Sequence, residues 1–411
     1  MKYSLRFGIL DYAIAFGMFC YAASSMIVSI CLIKMAAPDE LAFDLTGGGN
    51  LQAVRMTAMC VSLVLCGFLG ARYGKCHSLI GTMLLMATGL IGCALTPSFG
   101  MLFFAMALVG LSDGMLEGLL NPIIQDLHPQ NSGKYLNFLN AFWSIGVLST
   151  MIVCGDLLTR QVSWRMLMLG LAVISLLPML LFIIGIRKHP PIIPAPLSAG
   201  LKQVGNILKQ GRFWFFAVLM FLCGGGEGGL TFWSASLLQK DFGMAAREGG
   251  IGAACFSAGM IIARLAIGVM VKQHQMLRLI LSSAIAITMI SLVIPGVHSF
   301  LGIGIVLFLA GLSTACFWPS LQSYSVDTMP ADSTMLFILL SLAGIPGFSA
   351  VIWLMGFLGD RCGLRAGFYL IPAVFGIFIL LLTGEYLYQR RQRSVAPRTV
   401  PPLPSESALS D

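Results

Sequence analysis

Residues 99–125 read FGMLFFAMALVGLSDGMLEGLLNPIIQ, and this stretch decides which solvent the chain is built for. It is long enough for a helix to cross a bilayer, whose hydrocarbon core takes about 20 apolar residues. Yet it contains two acids, Asp113 and Glu117, which are costly in lipid unless they face a partner or a cavity. Asp113, Glu117 and Asn121 recur every fourth residue and therefore share one helical face. Gly110, Gly114 and Gly118 recur at the same interval on the adjacent face, where they permit close approach of another helix. The segment reads as a membrane helix with one face for packing and one that is polar, as expected of a helix lining a site within a bundle.

The rest of the chain repeats this pattern. Of 411 residues 57% are hydrophobic and 10% charged, and the mean hydropathy is +0.89, which leaves too little polar surface to clothe a water-soluble globule. Apolar runs of spanning length lie at about 9–33, 49–70, 78–96, 99–125, 132–156, 164–187, 211–239, 247–271, 276–296, 299–322, 333–358 and 366–388. The first is too long for a secretory leader and has no small-residue cleavage site, so it reads as a retained helix. These runs predict an all-α membrane protein of twelve transmembrane helices arranged as two six-helix bundles. The bundles are expected at 1–187 and 211–389, with a linker at 188–210 and a disordered tail at 390–411 that is rich in Arg, Pro and Ser.

Charge sets the expected orientation. With both ends of the chain placed inside, sixteen of the 25 Lys and Arg residues fall on that side, seven fall outside, and Arg55 and Arg264 lie within spans; the excess of positive charge predicts cytoplasmic termini. The net charge of +8 is distributed over span ends rather than a soluble face, so it argues against a nucleic-acid partner. The eleven cysteines lack the spacing of a metal site or a disulfide framework and read as small buried hydrophobes. No metal, no cofactor and no catalytic residue is expected, because the chain has no H-E-x-x-H, no G-x-S-x-G and no phosphate-binding Gly-Lys-Ser/Thr loop. A channel filter is not evident either.

The halves echo one another. Gly110-Leu111-Ser112 recurs 201 positions on as Gly311-Leu312-Ser313, and Gly155 with Arg160 recurs as Gly356 with Arg361. A duplicated six-helix unit enclosing a midplane site is a carrier architecture. The intramembrane acids Glu117, Asp113 and Glu227 are candidates for proton coupling, with ion pairing to an Arg the plainer alternative for the first two. Gly224 to Gly229 surround Glu227 and predict a local break in span seven or, equally, a tight packing point. Asn137, Asn140 and Ser144 share a face of span five beside Trp143; with Asn121, Glu227, Trp233 and Trp318 they are the candidate substrate-binding residues. Amides, hydroxyls and rings together suit a sugar, whose hydroxyls need polar partners and whose C–H face stacks on aromatics; interhelical hydrogen bonding is the alternative. Arg55 and Arg264 are candidates for a charge pair or for binding an anion.

These residues resemble those of a known family. Glu117-Gly118-Leu119-Leu120-Asn121-Pro122 is similar to the E-x-x-x-N-P signature of the fucose/glucose–proton symporters of the major facilitator superfamily. Leu136-Asn137-Phe138-Leu139-Asn140 resembles that family's fifth helix, and Gly225-Gly226-Glu227 with Trp233 resembles its G-x-E-x5-W arrangement. Arg264 and Phe317-Trp318-Pro319 extend the likeness into the second half. The resemblance implies a monomeric secondary transporter in a bacterial inner membrane that moves a sugar, with protons as the coupling ion, by alternating access. Exchange or export of organic anions or drugs, or sugar uniport, are the competing readings. Two departures stand out: the stretch Ala22–Ser29 of the first span carries no acid, and Ala71 precedes Arg72 where the superfamily usually has Asp.

Overall fold

The computed structural model describes residues 7–128, 132–187, 204–270, 275–329 and 333–395. In chain order its helices are α1 (Ile9–Met35), α2 (Leu45–Tyr73), α3 (Lys75–Leu95), α4 (Phe99–Leu127), α5 (Ser132–Thr159), α6 (Trp164–Ile186), α7 (Gly211–Asp241), α8 (Ala246–Met270), α9 (Met276–Val293), α10 (Phe300–Thr314), α11 (Phe317–Thr328), α12 (Ser333–Cys362), α13 (Leu364–Gly367) and α14 (Leu370–Val395). Eleven segments are long and apolar enough to cross a membrane. α8, a helix of 25 residues packed between α5, α7 and α10, makes twelve. The protein is thus an integral, multi-pass membrane protein. Most of the expected linker, 188–203, and the tail beyond 395 lie outside the described residues.

Short polar signals start the helices. Asp44 accepts from the Gly47 N–H at the start of α2 (2.7 Å), which carries the helix four residues further than its apolar run alone predicts. Ser98 and Ser299 do the same for α4 and α10, and these two caps are 201 positions apart. In the first half α2 packs on α4, α1 on α5 and α3 on α6; in the second half α8 packs on α10, α7 on α12 and α9 on α14. The halves meet through α1 with α7, α2 with α12 and α5 with α8.

The repeat extends into the packing. A Cβ at Gly110 would strike the Arg55 carbonyl, and one at Gly311 the Phe256 carbonyl; both members of each pair are displaced by 201 positions. Across the seam, Gly155 lies against the Ala246 carbonyl (2.7 Å from an ideal Cβ) and Gly356 against the Leu45 carbonyl (2.6 Å).

Of the two readings of the span-seven glycines, the break is overturned. α7 does not break at its glycines; it runs unbroken from Gly211 to Asp241. Each glycine is pressed by a neighbour: Gly224 by the Gly344 carbonyl, Gly225 by Val351, Gly226 by Phe375, Gly228 by Phe348 and Gly229 by Met355. The run is a packing seam, and close contact outweighs the poor helical preference of glycine. The tenth span is instead the interrupted one, with Ala315 and Cys316 separating α10 from α11 just ahead of Pro319.

Candidate functional site

The polar stripe of α4 is shared among three neighbours. Asp113 is fully buried and held by Arg55 of α2, whose Nε (2.7 Å) and Nη2 (2.6 Å) both reach Asp113 Oδ2. Ser24 donates to Asp113 Oδ1 (2.9 Å), and the second guanidinium contact runs from Arg55 Nη2 to Ser25 Oγ (2.5 Å). Gln52, one turn before Arg55, adds its Oε1 at 3.4 Å from Nη1. Arg55 is 1% exposed, so it neutralises Asp113 and offers no surface to an anion. Glu117, one turn further along α4, is half-buried and has Tyr21 of α1 as its hydrogen-bonding neighbour. One turn beyond that, Asn121 Oδ1 accepts from Asn140 Nδ2 of α5 at 3.0 Å. The side chain of Asn137 lies outside the described residues.

The second half contributes a looser pair. Glu227, at the centre of α7, is buried, and Arg264 of α8 stands 3.8 Å from its Oε1, beyond hydrogen-bonding distance. The other oxygen, Oε2, is buried without a partner among the described residues. Arg264 is about one-third exposed, and its Nε is directed at the Ala315 carbonyl (3.4 Å) where α10 ends.

Between the halves, one helical turn from this pair, Trp143, Ser144, Val147, Thr231, Phe256, Ser257 and Met260 line a cleft with room for little more than one water molecule. Of the expected substrate-binding residues, Trp143 and Ser144 line this cleft, while Asn140 and Glu227 lie one helical turn from its lining residues Ser144 and Thr231. Trp233 is not among them: it is fully buried in the second half with its indole N–H on the Ile352 carbonyl (2.9 Å). Trp318 is half-buried over Gly224 and Gly344. Tyr21, Gln52 and the Ser24–Ser25 pair belong to the polar core and were not singled out as site residues; their regular spacing along two apolar spans is the signal that marks them.

All described polar contacts between halves lie at one end of the molecule, the end away from where the described chain begins and finishes. They join Ser29 to the Phe232 carbonyl, Gln239 to the Ile30 carbonyl, Asn50 to Trp353, Asp360 to the start of α2, and Thr159 and Asp156 to Arg247. The cleft between the halves thus sits beneath a closed roof.

Two packed bundles around a midline polar site, closed at one end, define a secondary carrier rather than an enzyme. The chain belongs to the Major Facilitator Superfamily, whose profile matches residues 14–337. It is 23% identical over 282 residues to the MFS-type transporter YdgK of Bacillus subtilis, covering 65% of this chain and 70% of that one. It is 28% identical over 223 residues to the efflux pump dotC of Dothistroma septosporum, covering 54% of this chain and 37% of the pump. Among solved structures, the nucleoside transporter NupG superposes with a TM-score of 0.73 at 15% identity, over 92% of this chain and 98% of that one. A D-xylose–proton symporter superposes with a TM-score of 0.69 at 14% identity, over 91% and 96%. At these identities the two structures speak to the fold.

Proposed function

We propose that the protein is a proton-coupled carrier of a small polar solute, a sugar in the first instance, with its chain ends on the cytoplasmic side of a bacterial inner membrane. The observation that carries the substrate reading is the gap between Glu227 and Arg264. A hydroxyl group donates and accepts at once, so a single sugar hydroxyl fits between a guanidinium and a carboxylate that stand 3.8 Å apart without touching. It gives the Glu227 carboxylate a donor and the guanidinium an acceptor. Asn121, Asn140 and Ser144 offer further amide and hydroxyl groups on the facing half, and Trp143 offers a ring for the apolar face of a pyranose.

Glu117 is the coupling acid in this reading. Asp113 is committed to Arg55, whereas Glu117 has no cationic partner among the described residues and has a phenol beside it. A carboxyl so placed can take up a proton when open to one side and release it when open to the other. Glu117→Gln keeps the shape of the protonated acid. In proteoliposomes it should abolish uphill uptake driven by a pH gradient while sparing counterflow of the same solute, with D-glucose, L-fucose and D-xylose as probes. Uphill uptake surviving in Glu117→Gln moves the coupling role to Glu227.

A second reading rests on the partial exposure of Arg264 and on relatives named efflux pumps. An arginine within reach of solvent along the midline suits an organic anion. Counterflow of benzoate with no response to any monosaccharide favours that reading over the first.

A further inference from the structure

At the closed end each half reaches across to a helix start of the other. Asp360, on the last turn of α12, accepts from the backbone N–H groups of Leu45 (2.9 Å) and Thr46 (2.6 Å) and from the Thr46 hydroxyl (2.5 Å). Thr159, the last residue of α5, accepts from the Arg247 N–H (2.9 Å) at the start of α8, with Asp156 3.7 Å from the Arg247 guanidinium. Thr46 and Arg247 are 201 positions apart, and so are Thr159 and Asp360. A carboxylate on unpaired N–H groups at a helix start gains from both charge and dipole. The Asp360 contact is the stronger of the two on that ground.

The sequence around Asp360 occurs twice. Residues 356–363 are Gly-Phe-Leu-Gly-Asp-Arg-Cys-Gly and residues 67–74 are Gly-Phe-Leu-Gly-Ala-Arg-Tyr-Gly, identical at six of eight positions. Each copy ends a long helix on a glycine in the left-handed region, Gly363 at φ +84° and Gly74 at φ +83°, and each passes directly into the next helix. Residues with a Cβ rarely adopt that conformation. Because α2 and α12 are packed together and the start of α2 meets the end of α12, the two copies stand at opposite ends of one helix pair. At the Asp360 copy, Gly359 lies against Leu45 of the other half (2.9 Å from an ideal Cβ). At the Ala71 copy, Gly70 occupies the corresponding place and lies against Leu119 and Lys75 of its own half.

We propose that this motif is a two-ended latch on the α2–α12 pair that keeps its acid at one end only, so that Asp360 sets the carrier's resting state as closed at the far end. To turn over, the carrier must break the carboxylate's bonds to the start of α2. Closing the other end makes no equivalent bond, because Ala71 has no acceptor to offer the start of α12 at Ser333. The bias is built into the difference between two copies of one octapeptide.

Hydrogen–deuterium exchange by mass spectrometry on the full-length protein in lipid nanodiscs tests this without any substrate. Asp360→Ala should raise exchange at the start of α2 and the end of α12 about tenfold or more, the loss expected for charge-assisted hydrogen bonds, and should slow exchange at the end of α2 and the start of α12. Asp360→Asn, which keeps an acceptor without the charge, should fall between. Ala71→Asp should act in reverse, protecting the start of α12 and loosening the start of α2. The latch is refuted if Asp360→Ala loosens the far end without any gain of protection at the other, for Asp360 is then a local cap. It is equally refuted if Ala71→Asp, in folded protein, leaves both ends unchanged. Should Asp360→Ala not fold, Ala71→Asp alone decides.

Discussion

Arg55 and Asp113 form the most fully enclosed charge pair among the described residues, at 1% and 0% exposure. Taking both ions out of water is expensive, and their attraction with the added bonds from Ser24 and Ser25 offsets that cost. Removing one partner strands the other. Arg55→Leu and Asp113→Leu are each expected to cost about 3–5 kcal/mol, while the double substitution recovers most of the loss; thermal unfolding of purified protein in detergent measures all three, and additive losses would show that the two groups do not act as a pair. The acids themselves were legible in the sequence, since a carboxylate in a run of Leu, Met and Gly stands out. Which acid is locked and which is left for other work was not legible. That depends on Arg55, 58 positions away on another helix, and on Tyr21, an uncharged residue of the first span whose partner on α4 its own span does not reveal.

The glycines of α7 carry the same lesson at the level of a helix. Gly225 faces Val351 at 2.5 Å and the Gly347 carbonyl at 3.0 Å from an ideal Cβ, whereas Gly384 in α14 has nothing within 4 Å. Gly225→Ala should therefore destabilise by about 1–3 kcal/mol through overpacking and slow substrate exchange. Gly384→Ala should be neutral or stabilising by up to about 1 kcal/mol, since alanine favours the helix. Melting curves and exchange rates of the two variants provide the comparison, and equal effects would remove packing as the reason for the run. Five glycines around an acid read locally as weakness, because propensity registers only the residue and its near neighbours. The rings of Phe348 and Phe375 that need the space come from helices more than a hundred positions away. The twelve spans were legible for the opposite reason: hydropathy is a property of each segment alone, and lipid asks nothing else of it.

For the molecule as a whole, the duplication proves deeper than the few matching residues imply. Arg165 Nη1 binds the carbonyls of Ala94 (3.1 Å) and Thr96 (2.6 Å), and Arg365 Nη1 binds those of Pro295 and Val297 (both 3.3 Å). Glu40 and Asp241 stand beside the respective guanidinium groups. Most of these partners are backbone carbonyls, which leave no trace in sequence, so an alignment of letters registers only the arginines, and those one position out of register. Arg165→Met and Arg365→Met should each cost about 1–3 kcal/mol, and the double variant should show the sum within about 0.5 kcal/mol, as distant sites do; a marked shortfall in chemical unfolding would mean that the two staples belong to one cooperative unit. The seam between the halves is reciprocal as well. Gly155 receives the Ala246 carbonyl as Gly356 receives that of Leu45, and Thr159 serves Arg247 as Asp360 serves Thr46. An interface in which each side gives what it receives is that of a symmetric homodimer. A single six-helix chain paired with its own copy would already possess this seam, and the joining of two genes would have had to supply only a tether.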